Sequence, residues 1–73
     1  MIDATAAQVV DTRGMRCPWP ALRLARAARA DGGGGVHYLV LADDPQATRE
    51  IVALAAARQW HCVTELERFH IFT

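Results

Sequence analysis

Apolar positions along this chain recur with two different periods, and the switches between them mark six elements. Residues 1–7 carry neither period and read as a flexible tail. Gln8-Val9-Val10-Asp11 has the make-up of a short strand, and Thr12-Arg13-Gly14 of the turn that ends it. Over residues 18–30 the period is helical. Ala21, Leu24, Ala25 and Ala28 share one face, while Arg23, Arg26 and Arg29 lie opposite. Asp31 and the glycines at 32–35 end that helix, since glycine readily takes the left-handed turn after a last helical residue. Val36-His37-Tyr38-Leu39-Val40-Leu41 is rich in β-formers and almost wholly apolar, the profile of an interior strand. Asp43-Asp44-Pro45 then opens a second helix, with Asp44 suited to the N-cap and Pro45 to the first turn. That helix runs to about Gln59, with Ile51, Leu54 and Ala55 turned inward. Two short strands, 61–66 and 69–72, follow at hairpin spacing.

The order β-α-β-α-β-β predicts an α/β chain of the α+β two-layer sandwich type, a mixed four-stranded sheet with two helices on one face. A right-handed crossover follows if the first two strands are parallel neighbours. Residues 1–73 make one domain, and an apolar share of 52% suffices for a compact core.

Composition narrows the chemistry. No apolar run approaches a membrane span, and Met1-Ile2-Asp3-Ala4 lacks the basic and apolar regions of a signal peptide, so the expected location is cytoplasmic and no membrane partner is expected. A net charge of zero argues against tight non-specific binding of nucleic acid. The chain has no Lys, Ser or Asn, which removes a Schiff-base lysine, a serine nucleophile and a phosphate loop ending in Gly-Lys-Ser/Thr. Cysteine is the strongest nucleophile left. Two cysteines far apart in sequence give neither a disulfide framework nor a paired-thiol motif, which suits a reducing compartment.

Position singles out Cys17. Cys17-Pro18-Trp19-Pro20 sets a thiol ahead of two prolines at the start of the first helix, where free N–H groups and the helix dipole favour negative charge. With Arg13 and Arg16 close in sequence, the expectation is an accessible thiol that ionises more easily than a free one. Cys62, inside a strand, reads as structural. His37, His61 and His70 fall on three strands, and the adjacent pair His61-Cys62 points to opposite faces, so no metal site is expected. The glycine run closes a helix rather than opening one, which makes it a turn and not a phosphate cradle. The arginine face of the first helix reads either as a solvated face or as a docking face for an acidic partner or RNA. Trp19 reads either as a packed cap residue or as an apolar anchor beside the thiol.

Asp11-Thr12-Arg13-Gly14-Met15-Arg16-Cys17-Pro18-Trp19-Pro20 resembles the Asp-x-x-Gly-x-x-Cys-Pro-x-Pro signature of the TusA (SirA-like) sulfur-carrier family. Asp43-Asp44-Pro45-Gln46-Ala47-Thr48-Arg49-Glu50-Ile51 looks like the family's second motif, and Phe69-His70-Ile71-Phe72 is similar to its last strand. The resemblance covers the chain from Val9 onward. It implies that Cys17 accepts sulfane sulfur as a transient persulfide, with no other cofactor, and passes it on. The implied donor is a cysteine desulfurase or a rhodanese. The implied acceptors lead to 2-thiouridine in tRNA, to molybdenum-cofactor enzymes or to sulfur oxidation, without direct contact with nucleic acid. Arg13, Arg16, Pro18, Trp19, Pro20 and Arg23 are the residues expected to support the thiol and dock partners. Trp19 departs from the charged or aliphatic residue more usual there. The alternative on the same scaffold is a non-catalytic regulatory or interaction module. An independent thiol oxidoreductase ranks lower, because no second cysteine lies near to resolve a mixed disulfide.

Overall fold

The structure, a computed structural model, describes residues 7–32 and 34–73. The expected tail, apart from Ala7, and the second glycine of the run, Gly33, lie outside the described residues. The elements are β1 (Gln8–Asp11), α1 (Trp19–Ala30), β2 (His37–Leu41), α2 (Ala47–Arg58), β3 (His61–Glu65) and β4 (Arg68–Phe72). They form an α+β fold with a mixed four-stranded sheet in the order β1-β2-β4-β3. β1 and β2 run parallel, whereas β4 pairs antiparallel with both β2 and β3.

Strand parity explains the single core. Val10, Tyr38, Val40, Phe69 and Ile71 occupy in-register positions on one face, and all are buried. Leu24 and Ala28 of α1, and Ala47, Ile51 and Ala55 of α2, pack into the same cluster, so both helices cover that face. Ala21 and Leu54 pack at its margin, while Ala25, expected inward, lies half-buried in a groove on the outer side of α1.

The ends of the helices follow local chemistry. α1 ends at Asp31, whose N–H donates to Ala27 O. The Asp31 carboxylate in turn accepts the hydroxyl of buried Tyr38, tying the end of α1 to β2. Burial, together with that anionic acceptor, pushes the Tyr38 phenol up to about 12. α2 ends at Gln59 in the left-handed conformation (φ 60°), with Trp60 N donating to Ala55 O.

The start of α2 differs most from the sequence expectation: the helix begins at Ala47, so Pro45 lies ahead of its first turn, while β2 begins at His37 rather than Val36 and β3 ends at Glu65 rather than Leu66. Gln46, not Asp44, caps α2. The Asp44 carboxylate does accept from Gln46 N (3.0 Å), but its other oxygen is committed elsewhere, to the backbone of Cys17. Among the described residues no helix is long and apolar enough to cross a membrane.

Candidate functional site

Parallel pairing of β1 and β2 brings together two segments far apart in sequence. Asp11 lies in register with Leu41, so the chain leaves both strands at the same edge of the sheet, and residues 12–18 meet residues 42–46 there. Buried Thr12 fixes the departure, its N–H and Oγ1 both donating to Leu41 O (2.7 Å each). Gly14 makes the turn at φ 85°, a conformation that would strain a side chain, and its N–H donates to Asp43 Oδ1 (2.9 Å). Cys17 N donates to Asp44 Oδ2 (2.5 Å). The two aspartates of the second motif thus clamp the loop that carries the first.

Cys17 is a free, half-buried thiol just ahead of Pro18, the N-cap of α1, across a cis peptide bond. Its electrostatic setting reverses the sequence expectation. The thiol is raised above its ordinary value by desolvation, then by a hydrogen bond with Glu50, then by the charges of Glu50 and Asp44. The neighbouring arginines do not compensate. Arg13 is occupied by Asp11, its Nε and Nη2 donating at 2.9 and 2.8 Å, and this exposed pair holds the Asp11 carboxyl down at about 2. Arg16 lies near enough to Asp44 to lower it, after the backbone donors Gln46 and Cys17 have done most of that work. Short sequence distance therefore overstated the arginines. The carboxylates arrive from α2 and the segment before it, 27 residues away in the case of Asp44.

The other candidate residues fall into two groups. Pro20 is buried beneath the first turn of α1, and Pro18 is exposed. Trp19 is 63% exposed, which favours the anchor reading over the packed cap. With Met15, Leu22 and Ala25 and the side chains of Arg23, Arg26 and Arg29, it lines a groove of about 590 Å³. The arginine face of α1 is thus one side of an apolar trough that begins two residues from the thiol.

Cys62 is half-buried on the core side of β3 and packs against the core cluster, and burial raises its thiol. The histidines, dispersed in sequence, share the opposite, uncovered face of the sheet through strand register. His37 Nε2 and His70 Nδ1 are 3.2 Å apart, His70 Nε2 meets Glu65 Oε1 at 2.6 Å, and the His37 ring stacks on Phe72. The two ring centroids lie 5.4 Å apart, with the planes tilted by 30°. Among the described residues no trio of His, Cys, Asp or Glu is placed to hold a metal ion.

The sequence reading singled out the thiol and the flanking tryptophan but missed Asp43 and Glu50, and assigned Asp44 only a capping role. The available signal was the second motif itself, which holds Asp43, Asp44 and Glu50 together, but acidic residues are equally what a helix start favours. A family model described as Sulfurtransferase TusA matches residues 8–72.

Proposed function

Because the chain belongs to the TusA family, whose members carry sulfur between partner proteins, we propose that Cys17 is the carrier atom and holds sulfane sulfur as a transient persulfide. The observation that carries this reading is the placement of a free thiol on a clamped loop beside an exposed tryptophan and an arginine-rimmed groove. A carrier must bring one sulfur atom within bonding reach of two successive active sites, so the thiol needs a recognition surface next to it. Trp19, Arg16 and Arg23 supply that surface.

In loading, Cys17 Sγ attacks the terminal sulfur of a donor persulfide on a cysteine desulfurase or rhodanese. The donor S–S bond breaks, and its electron pair leaves on the donor cysteine sulfur. The raised thiol of the free protein holds less of the thiolate, the nucleophilic form, than a free thiol does. Docking on a cationic donor site supplies the activation. Release to an acceptor serves tRNA 2-thiolation, maturation of a molybdenum-cofactor enzyme or sulfur oxidation. No bound cofactor is needed.

Intact-mass measurement after incubation with a desulfurase and cysteine tests the reading. Wild type should gain about one sulfur, removable by reductant. Cys17→Ser should gain none, and Cys62→Ala should load as wild type does. Loading retained in Cys17→Ser but lost in Cys62→Ala would reassign the site. No gain in wild type would leave the regulatory-module reading in its place.

A further inference from the structure

β3 lies at the outer edge of the sheet, and nothing in its sequence protects that edge. His61-Cys62-Val63-Thr64-Glu65 has no proline and no lysine, and its register with β4 is unbroken by a bulge. Those are the usual means of keeping an edge strand from pairing with another chain. The strand is exposed at every position except Cys62, which is half-buried.

Register also places its free backbone groups. Ala42 N–H donates to Glu67 O (3.2 Å), which sets the alternation along β4. Phe69 and Ile71 turn their N–H and C=O groups to β2, and Arg68, His70 and Phe72 turn theirs to β3. The partners of those three, Glu65, Val63 and His61, are thereby engaged. The N–H and C=O groups of Cys62 and Thr64 therefore point out of the sheet, and among the described residues no loop backbone closes them.

We propose that β3 pairs antiparallel with β3 of a second copy, about a twofold axis at Val63, so that one sheet runs through both copies. The segment is its own complement in this register. Cys62 and the second copy's Thr64 exchange both N–H···O bonds, and the twofold axis repeats the exchange. Val63 meets its counterpart on the uncovered face. His61 stands opposite Glu65 at each end, where a ring N–H donates to the carboxylate oxygen that the contact with His70 leaves free. A slide by two residues sets Val63 against His61 or Glu65 and breaks both end pairs, so the polar ends select the register. An unrelated strand would satisfy the backbone but not these pairs. The edge is the one remote from β1, whose following loop carries Cys17, so pairing leaves both thiols open.

Sedimentation across a concentration series tests the pairing. Wild type should reach twice the mass of one chain. Thr64→Pro removes an outward N–H that the folded chain does not use, a place where an edge strand tolerates proline. It should weaken association about thirtyfold, because the twofold axis makes the loss two hydrogen bonds. His61→Glu touches no backbone bond and sets like charges opposite at both ends, so it should weaken association about tenfold. The register has its own arm. Val63→Cys, in a background of Cys17→Ser and Cys62→Ala, puts two thiols on the axis, with Cα atoms about 4.5 Å apart, inside the range for a disulfide. Mild oxidation should cross-link it, and Val52→Cys, exposed on α2, should stay uncrosslinked in the same background. A wild type that is monomeric up to ~1 mM would overturn the proposal and leave the edge to a strand of another protein. A dimer that ignores both Thr64→Pro and His61→Glu, or one that cross-links through Val52→Cys and not Val63→Cys, would place the interface elsewhere and overturn it equally.

Discussion

Truncating Trp19 to alanine should separate docking from chemistry. The side chain stands 63% exposed at the head of α1, so most of its surface is free to be covered by a partner. A tryptophan offers ~150–250 Å² in all, which leaves roughly 100–150 Å² for a partner to bury. At ~25 cal/mol per Å² this corresponds to about 3 kcal/mol. Imperfect fit and side-chain ordering at an interface reduce that to about 2 kcal/mol, or roughly a thirtyfold loss of affinity. Calorimetric titration of Trp19→Ala against the desulfurase or rhodanese that loads the protein measures it directly. Two controls bound the interpretation. Iodoacetamide alkylation of Cys17 should be nearly unchanged, because the change leaves in place both carboxylates that act on the thiol. The urea midpoint should move little, because an exposed ring supports little of the core. Affinity within twofold of wild type would refute the docking argument. A stability loss of ~3 kcal/mol or more, the scale for truncating a buried aromatic, would show the ring packed after all.

Two further predictions concern the scaffold. Ile51→Ala, at a fully buried position where α2 meets the sheet, should cost about 3 kcal/mol by urea denaturation; a loss below ~1 kcal/mol would mean the core collapses around the gap. Tyr38 is the single tyrosine, so its ultraviolet titration is unambiguous, and the midpoint should lie near the raised value of about 12. A phenol raised by folding stabilises the protein below its ordinary pKa of 10, and that contribution is lost as pH rises through about 12. Asp31→Asn should move the midpoint down, and a wild-type midpoint near 10 would contradict the buried phenol–carboxylate contact.

Much of the fold was legible because it is local. The strand at Gln8–Asp11, the helix ending before the glycine run, and the β3–β4 hairpin each follow from period, turn residues and length within a short segment. Sheet order was not legible. β4 sits between β2 and β3 because Phe69 and Ile71 complete the buried row with Tyr38 and Val40, a match that spans some thirty residues and leaves no mark in either segment alone. The histidines make the same point. Their three strands were evident, but only register places His37 beside His70.

At the site the division is sharper. The sequence by itself singled out the candidate nucleophile: with no lysine or serine in the chain and proline on its C-terminal side, Cys17 stands just ahead of a helix start, where the structure leaves it half-buried. It also determined that Trp19, Arg23, Arg26 and Arg29 would lie together on the helix that follows the thiol, since helical spacing alone dictates that. Tertiary structure alone decided the charge around the sulfur. Arg13 is near in sequence but pairs with Asp11, while Asp44 comes from beyond β2 to accept the Cys17 N–H, and the charges of Glu50 and Asp44 raise the thiol. Periodicity and turns are properties of a few consecutive residues, whereas an electrostatic field depends on distances through space. Those distances exist only once β1 and β2 have paired in parallel and brought the two loops to one edge of the sheet.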